Sequence, residues 1–526
     1  MAVLARPARE TWADRVRSVV RRPTAVDAAL ASVLTLLTFV VHDVPYLLTA
    51  PFWTDEAWVA ISTRLPLSEL PRITASTPVG WSLLLRLVVV GGPERLRLVP
   101  LLFAAATVAA AYWYGRTLPW PRLLAARIAG VLTGVAALLL PSALYRDDLK
   151  QYTADAFVTV LLLGLTTRVG RDSRHPPWRA LLPLAVTAVV GFLFSAVAVF
   201  VLGAVLASIG LTQLVARRWA DAARTAAVGA GAAVPLLAVF VLLYRPGMPQ
   251  GLTDYWSGNY LPLSRGPAAV WRFVAHGIAA LDADLGTGPV VLTVLLVSLG
   301  VLTVVRLGRP DVALVVPVLL VELLVLGAVR QYPLFNLRTS HFALTALAVT
   351  AAVGVAGACL ALSRWRVQAA LVCATVAIAF FTVGVRHLVH GHPLPHEDVR
   401  TPVQDILALR RPGDVVVVNS ASNWGFAYYW PIGRPVTAPS ADNLQGFVAV
   451  FPDQPDILLA SDTTPETIDA TLNAARTRAL RHPGGRIWLV HEHMHADQVR
   501  ATLAWEQLNA VSVQTVGSLD LVQPNR

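Results

Sequence analysis

Up to about residue 390 the chain consists of long apolar runs broken by short polar segments; beyond about residue 395 short apolar strands alternate with amphipathic stretches. Runs long enough to cross a bilayer fall near 27–49, 96–117, 124–144, 153–168, 180–194, 196–215, 223–243, 288–306, 311–328, 340–362 and 367–388. Pro78–Gly92 is apolar too, but it is only about three or four turns long and carries Arg86 near its middle, so it reads as a helix lying in the outer interface.

Arginine placement orients these runs. Arg6, Arg9, Arg15, Arg17, Arg21 and Arg22 fall on the same side as Arg116/Arg122/Arg127, Arg168/Arg171/Arg174/Arg179, Arg217/Arg218/Arg224, Arg306/Arg309 and Arg364/Arg366, which the positive-inside rule makes cytoplasmic. Residues 1–26 are then a cytoplasmic arm and 27–389 a transmembrane domain. The outer face receives the first loop 50–95, the turn 144–152, the loop 245–287, the turn 329–339 and the tail 390–526. The first run follows arginines as a signal peptide does. It is too long for one, and Pro51 would follow the only small-residue cleavage site, so a retained signal-anchor is expected.

In the tail the pattern predicts a helix at Pro402–Arg411, a strand Asp414–Ser420, a helix or turn around Trp424–Trp430 and a strand Asp456–Ser461. A helix Pro465–Leu480, a strand Arg486–His491, a helix Ala496–Leu508 and a final strand Val511–Val522 complete a small layered, mostly parallel sheet. The fold class is a polytopic α-helical membrane protein of about eleven transmembrane helices plus an interfacial helix, with a C-terminal extracytoplasmic α/β domain, placed in the cytoplasmic (inner) membrane.

Composition agrees: 55% hydrophobic, 14% charged and a mean hydropathy of +0.58 exclude a large soluble enzyme. A net charge of +11 would suggest nucleic acid, but the tail has ten arginines against fourteen acids, net −4, so +15 belongs to the membrane part and records topology. Cys359 and Cys373 both lie in apolar runs, so neither a structural disulfide nor a cysteine metal site is expected. His387, His390, His392, His396, His491, His493 and His495 show no zinc spacing such as His-Glu-x-x-His. No metal site or cofactor is called for, and no pattern supports a divalent cation.

Four outer clusters are candidates for chemistry. Asp55-Glu56 lies between Trp53 and Trp58 just past Pro51. Asp55 could take a proton from an acceptor hydroxyl, or Thr54 or Asp55 could cap the next helix with the tryptophans in the aromatic belt. The turn Tyr145-Arg146-Asp147-Asp148-Leu149-Lys150-Gln151-Tyr152 holds the only lysine of the chain, either a compact donor to an anion or a partner of Asp147 or Asp148. Arg338 and His341, three apart after Tyr332-Pro333, could grip a phosphate with Lys150, or contact lipid headgroups. In the loop 245–287, Asp254, Tyr255, Trp256, Asn259, Tyr260 and Trp271 suit sugar or lipid contact and equally a plain interfacial loop. Trp424 and Tyr428, beside Tyr429 and Trp430, could stack on a sugar or pack the tail core. Glu322, in the middle of its run, reads as the clear buried acid, and one acid without an obvious intramembrane partner is thin support for a proton relay.

Together, the Asp-Glu pair after run one, the Arg-x-x-x-Lys-x-Tyr-x-x-Asp turn, the Tyr-Pro…Arg turn and the α/β tail resemble the GT-C superfamily of integral membrane glycosyltransferases. The likeness is to the bacterial relatives of protein O-mannosyltransferases and of the aminoarabinose transferases of lipid A. It implies transfer of a sugar from a polyprenyl-phosphate donor to a glycan, lipid or protein hydroxyl on the outer face, with inversion and with membrane lipids as surroundings. It implies Asp55 as general base and Glu56 as its companion, with Arg146, Lys150, Tyr152, Arg338 and His341 around the donor phosphate. Trp58, Tyr332, Trp424 and Tyr428 are the candidates for acceptor or sugar contact. The alternatives are a lipid-linked glycan ligase, a non-enzymatic lipid or glycan transporter, and an inactive relative whose tail binds glycan. A transporter predicts polar residues spread through the runs and an internal repeat, neither of which the sequence displays.

Overall fold

The computed structural model describes residues 23–73, 77–88, 93–140, 148–169, 177–248, 251–285, 290–362, 397–440 and 446–526. The arginines up to Arg22, then Tyr145, Arg146, Asp147, Arg171, Arg174, Arg364 and Arg366, the run 367–388 with Cys373, and His387, His390, His392 and His396 lie outside the described residues.

Ten of the eleven apolar runs form helices, and the eleventh lies outside the described residues. The first is α1 (Ala25–Val41); the outer loop then carries two short helices, α2 (Thr54–Ile61) and α3 (Val79–Leu87). The bundle continues with α4 (Leu98–Thr117), α5 (Leu123–Leu138), α6 (Tyr152–Thr166), α7 (Pro177–Phe192), α8 (Ala198–Val215) and α9 (Trp219–Val239). After the second outer loop come α10 (Pro267–Leu285), α11 (Val290–Arg306), α12 (Val315–Ala328) and α13 (Leu337–Leu362). Among the described residues five stretches, Glu94–Thr117, Ala198–Val215, Trp219–Gly247, Pro310–Ala328 and Leu337–Leu362, are long and apolar enough to cross a membrane, with shorter apolar helices beside them. The helix α10 was not expected: Arg272, His276, Asp282 and Asp284 break its apolar run, and packing against α13 supports it.

The helix α1 starts with a capping box between Thr24 and Asp27. Asp27, fully buried, also accepts from Arg116 Nε at 2.9 Å, Arg127 Nε at 3.1 Å and the Tyr112 hydroxyl at 3.3 Å, tying α1 to α4 and α5. The helices α11 and α13 cross with backbones in contact: a Cβ at Gly300 would collide with the Thr350 carbonyl, and one at Gly354 with the Leu296 carbonyl. That crossing anchors α13, whose first turn carries Arg338 to Asp55. Glu322 lies against Gly203 of α8, where a Cβ would stand 3.1 Å from the carboxylate.

The tail comprises α14 (Arg400–Leu409), β1 (Val415–Val418), α15 (Asn423–Tyr429), β2 (Val436–Pro439), β3 (Phe447–Val450), β4 (Ile457–Leu459), α16 (Pro465–Ala479), β5 (Ile487–Val490), α17 (Ala496–Asn509), β6 (Ala510–Val516) and β7 (Leu519–Pro524). Its main sheet has the order β4-β1-β5-β7-β6. The pairs β1/β4 and β1/β5 are parallel and β5/β7 and β6/β7 antiparallel, so the sheet is mixed rather than mostly parallel. The difference lies in the final apolar run, which turns at Gly517 (φ +59°) and folds into a hairpin where one strand was expected. A second antiparallel pair, β2/β3, was also unforeseen; its four-residue strands are too short to announce themselves by alternation.

The tail does not stand clear of the membrane part. Phe52, Ala57, Ile61, Trp81 and Leu96 of the outer loop share one buried apolar cluster with Val416, Val418, Trp424, Phe426, Tyr428 and Trp430 of the tail. At its edge Arg400 donates to Glu94 Oε1 at 2.8 Å and to the Thr49 carbonyl at 2.9 Å, and Phe52 N donates to the Tyr429 hydroxyl at 2.9 Å.

Candidate active site

Asp55 and Glu56 stand in the first turn of α2, where the unpaired amides of a helix start favour negative charge. Successive residues on a helix diverge by about 100°, and the two carboxylates accordingly have different partners.

Asp55 faces two cations through one oxygen. Its Oδ2 accepts from Lys150 Nζ at 3.0 Å and from Arg338 Nη1 at 2.7 Å. Among the described residues no hydrogen bond to Oδ1 is found. The side chain is 19% exposed, Lys150 8% and Arg338 33%, so the cluster opens to solvent on one side. Burial pushes the Asp55 carboxyl up, but Lys150 and Arg338 together outweigh it and hold the group below the ordinary carboxylate range. Each cation also lies over an indole: Lys150 Nζ is 5.5 Å from the Trp58 ring centre and the Arg338 guanidinium 5.1 Å from that of Trp53.

Glu56 is fully buried and turned inward. It takes Arg97 Nε at 2.8 Å and a second, shorter bond from Arg97 Nη2, while Arg97 also donates to the carbonyls of Leu47, Ala50 and Pro51. Glu56 Oε1 further accepts the Leu149 amide at 3.3 Å, and the Leu149 carbonyl accepts Trp81 Nε1 at 2.6 Å. The adjacent acids Asp55 and Glu56 thus engage the adjacent residues Lys150 and Leu149. One pair sets the backbone and the other presents the charges.

The remaining candidates divide. Tyr152, the first residue of α6, and the Asp148 carboxylate stand near Arg338. His341, one turn deeper along α13, is buried and lines a small cavity with Thr38, His42, Thr107, Thr153 and Thr345. Trp58 and Trp424 stack with centroids 5.4 Å apart and planes 22° from parallel, joining the outer loop to the tail. Tyr428 packs on Phe52 and under the Arg64 guanidinium. Tyr332 packs between Phe200 and Phe342 and donates its hydroxyl to the Thr339 carbonyl, away from the cations. Arg146 lies outside the described residues.

Three contributors escaped the sequence reading. Arg97 sits at the lip of the run that becomes α4, and a charge inside an apolar run is the signal that could have marked it. Trp81 was read only as part of the interfacial helix. Glu397 lies 343 residues from Thr54, to which it is bonded, and no local pattern announces that pairing. The turn before α13 is held by Asn259, whose side chain donates to the Leu334 carbonyl at 3.0 Å and whose own carbonyl accepts the Leu334 amide at 2.7 Å. Among the described residues no group of three or more His, Cys, Asp or Glu gathers as a metal site would need.

No protein-family model and no curated protein matches the chain. Solved structures do. The chain is similar to ArnT from Cupriavidus metallidurans in the apo state, with a TM-score of 0.55 at 14% identity over 94% of this chain and 97% of that one. It is also similar to ArnT bound to undecaprenyl phosphate, with a TM-score of 0.53, 15% identity and the same coverage. Its similarity to the archaeal oligosaccharyltransferase AglB from Archaeoglobus fulgidus, in complex with an inhibitory peptide and a dolichol-phosphate, has a TM-score of 0.51 at 12% identity over 95% of this chain and 74% of that one. The chain shares the fold of these structures: a bundle of long apolar helices with a C-terminal sheet region.

Proposed function

We propose that this chain is a glycosyltransferase that moves a sugar from a polyprenyl-phosphate donor to a hydroxyl on the outer face of the cytoplasmic membrane, with Asp55 as general base. The observation that carries the reading is the sharing of Asp55 Oδ2 by Lys150 and Arg338, with no described hydrogen bond to Oδ1. The likeness in fold to proteins solved with undecaprenyl phosphate and dolichol-phosphate supports a lipid-phosphate donor. On this reading 1–26 is the cytoplasmic arm, 27–389 the transmembrane domain and 390–526 an outer unit.

The chemistry follows from the charges. Asp55 keeps two cations together that would otherwise repel each other. An arriving phosphate competes for them, their hold on Asp55 weakens, and its carboxylate becomes more basic as the acceptor hydroxyl comes within reach. Asp55 then takes the hydroxyl proton as the acceptor oxygen attacks the anomeric carbon from the face opposite the phosphate, which inverts that centre. The C–O bond to the phosphate breaks, the electron pair leaves with the lipid phosphate, and Lys150, Arg338, Tyr152 and Arg146 meet the developing charge. No general acid is needed, because the leaving group departs as an anion. Glu56 acts on geometry, through Leu149, and the Trp58–Trp424 stack, with Trp424 buried, holds α2 against the tail.

Transfer of a whole lipid-linked glycan would use the same cations, and the likeness to AglB favours keeping it as the second reading. Membranes incubated with a panel of radiolabelled polyprenyl-phosphate sugars and lipid-linked glycans separate the two. In that assay Asp55→Asn should lower transfer by about 10²–10⁴ at normal expression. Undiminished transfer would remove Asp55 from the mechanism.

A further inference from the structure

We propose that Glu397, braced by His493, is a positioning residue that seats the first turn of α2 and thereby aims Asp55, so that the outer α/β unit is a working part of the transfer site. The inference rests on the reading of Asp55 as the base.

The helix α2 has no cap of its own. Trp53 occupies the N-cap position in extended conformation and has no side-chain acceptor, so the first amides of the helix need a partner from elsewhere. Glu397 supplies it: its Oε2 accepts Thr54 N at 2.9 Å and Thr54 Oγ1 at 2.8 Å. Its other oxygen, Oε1, meets His493 Nδ1 at 2.7 Å. His493 holds φ at +53°, an uncommon conformation for a residue with a Cβ. Its loop is fastened to the sheet: Asn419 Nδ2 and the Ser422 hydroxyl both donate to the Glu492 carbonyl, and Asp398 N donates to Glu492 Oε1. A continuous path therefore runs from the ends of β1 and β5 through His493 and Glu397 to Thr54, the residue before Asp55.

Docking of the tail does not require this path, since the shared apolar cluster and the Arg400–Glu94 pair already provide it. Glu397 instead fixes two bonds at the one turn whose rotation would move Asp55 away from Lys150 and Arg338. A carboxylate suits the place because it meets the positive end of the helix, and His493 offsets its charge beside Asp55. Burial raises the Glu397 carboxyl, but the His493 and Thr54 bonds hold it below its ordinary value, while the bond to Glu397 holds His493 above its own.

The test uses the full chain in lipid nanodiscs and two readouts, one of them independent of turnover. Amide hydrogen exchange over residues 53–58 should speed up about tenfold in Glu397→Ala while the tail strands keep their protection, and kcat should fall about tenfold with the donor KM within about twofold. Glu397→Gln keeps an acceptor for Thr54 and should recover kcat to within about threefold of wild type. Unchanged exchange and kcat in Glu397→Ala would overturn the proposal, as would a loss of protection spread through the tail in both variants, which marks a docking contact only. If Glu397→Ala does not fold, Thr54→Val, which removes one of the two bonds, should lower kcat about threefold, and an unchanged kcat would overturn the proposal equally. Persistent transfer in Asp55→Asn would defeat the reading of the base and leave the exchange result standing.

Discussion

Two aspartates, Asp27 in the first turn of α1 and Asp55 in the first turn of α2, are each bonded to two cations, and they differ in what they have left to give. Asp27 is completely buried and uses both oxygens on Thr24, Arg116, Arg127 and Tyr112. Asp55 is partly exposed and offers both cations the same oxygen. A buried charge whose lone pairs are all satisfied is a structural joint, and removing one partner leaves an uncompensated ion. A charge held by one oxygen at an open edge keeps capacity for a proton.

The contrast breaks most sharply under substitution of the acids themselves. Asp27→Asn should cost about 3–5 kcal/mol of stability, because Arg116 and Arg127 lose their counter-charge inside the bundle. Thermal unfolding in detergent would measure this, and transfer per folded molecule should stay within about twofold of wild type. Asp55→Asn should do the reverse, with a small change in Tm beside the large loss of transfer. Equal stability losses in the two variants would erase the distinction.

A smaller effect separates the cations. Lys150→Arg keeps the charge but replaces a compact ammonium with a planar fork, and the donor KM should rise about tenfold. Arg127→Lys beside Asp27 should leave that KM unchanged, measured under the same donor titration. A donor KM indifferent to Lys150→Arg would argue that Lys150 serves only as a partner of Asp55.

The smallest effect is in the pH profile. With its carboxyl held below the usual value of 3.8, Asp55 is ionised through the neutral range. Its ion-pair stabilisation is present above that usual value and lost as pH falls through the depressed one. The acid limb of kcat/KM, which reports the free enzyme, should therefore lie below the ordinary carboxylate range. Arg338→Gln removes one of the lowering charges and should move that limb upward; a limb that stays in place would mean that Arg338 does not set the basicity of Asp55.

Much of this was legible in the chain. Hydropathy located ten runs that became helices, and the short helix at Val79–Leu87 fell within the segment read as interfacial. Asp55, Lys150 and Arg338 stood out because each is a charge at the end of an apolar run, and the structure brings the three together. Glu56 was legible as a residue and not in its partners: its neighbour Asp55 faces the cations, while Glu56 is turned to Arg97. The helix α10 and the hairpin β6–β7 were missed because charges interrupted one pattern and a glycine turn was hidden within the other.

What the sequence by itself determined is therefore whatever depends on one segment meeting lipid or water: which runs can enter the bilayer, the end at which the arginines gather, and which charges are left at the rims. Only the tertiary structure decided which of those charges meet. Glu397 reaches Thr54 across 343 residues and Arg97 reaches Glu56 across 41, and neither pairing follows from periodicity. A hydrogen bond needs its two groups within about 3 Å and well aligned, and in this chain that distance is set by which helices pack and where the outer sheet docks on them.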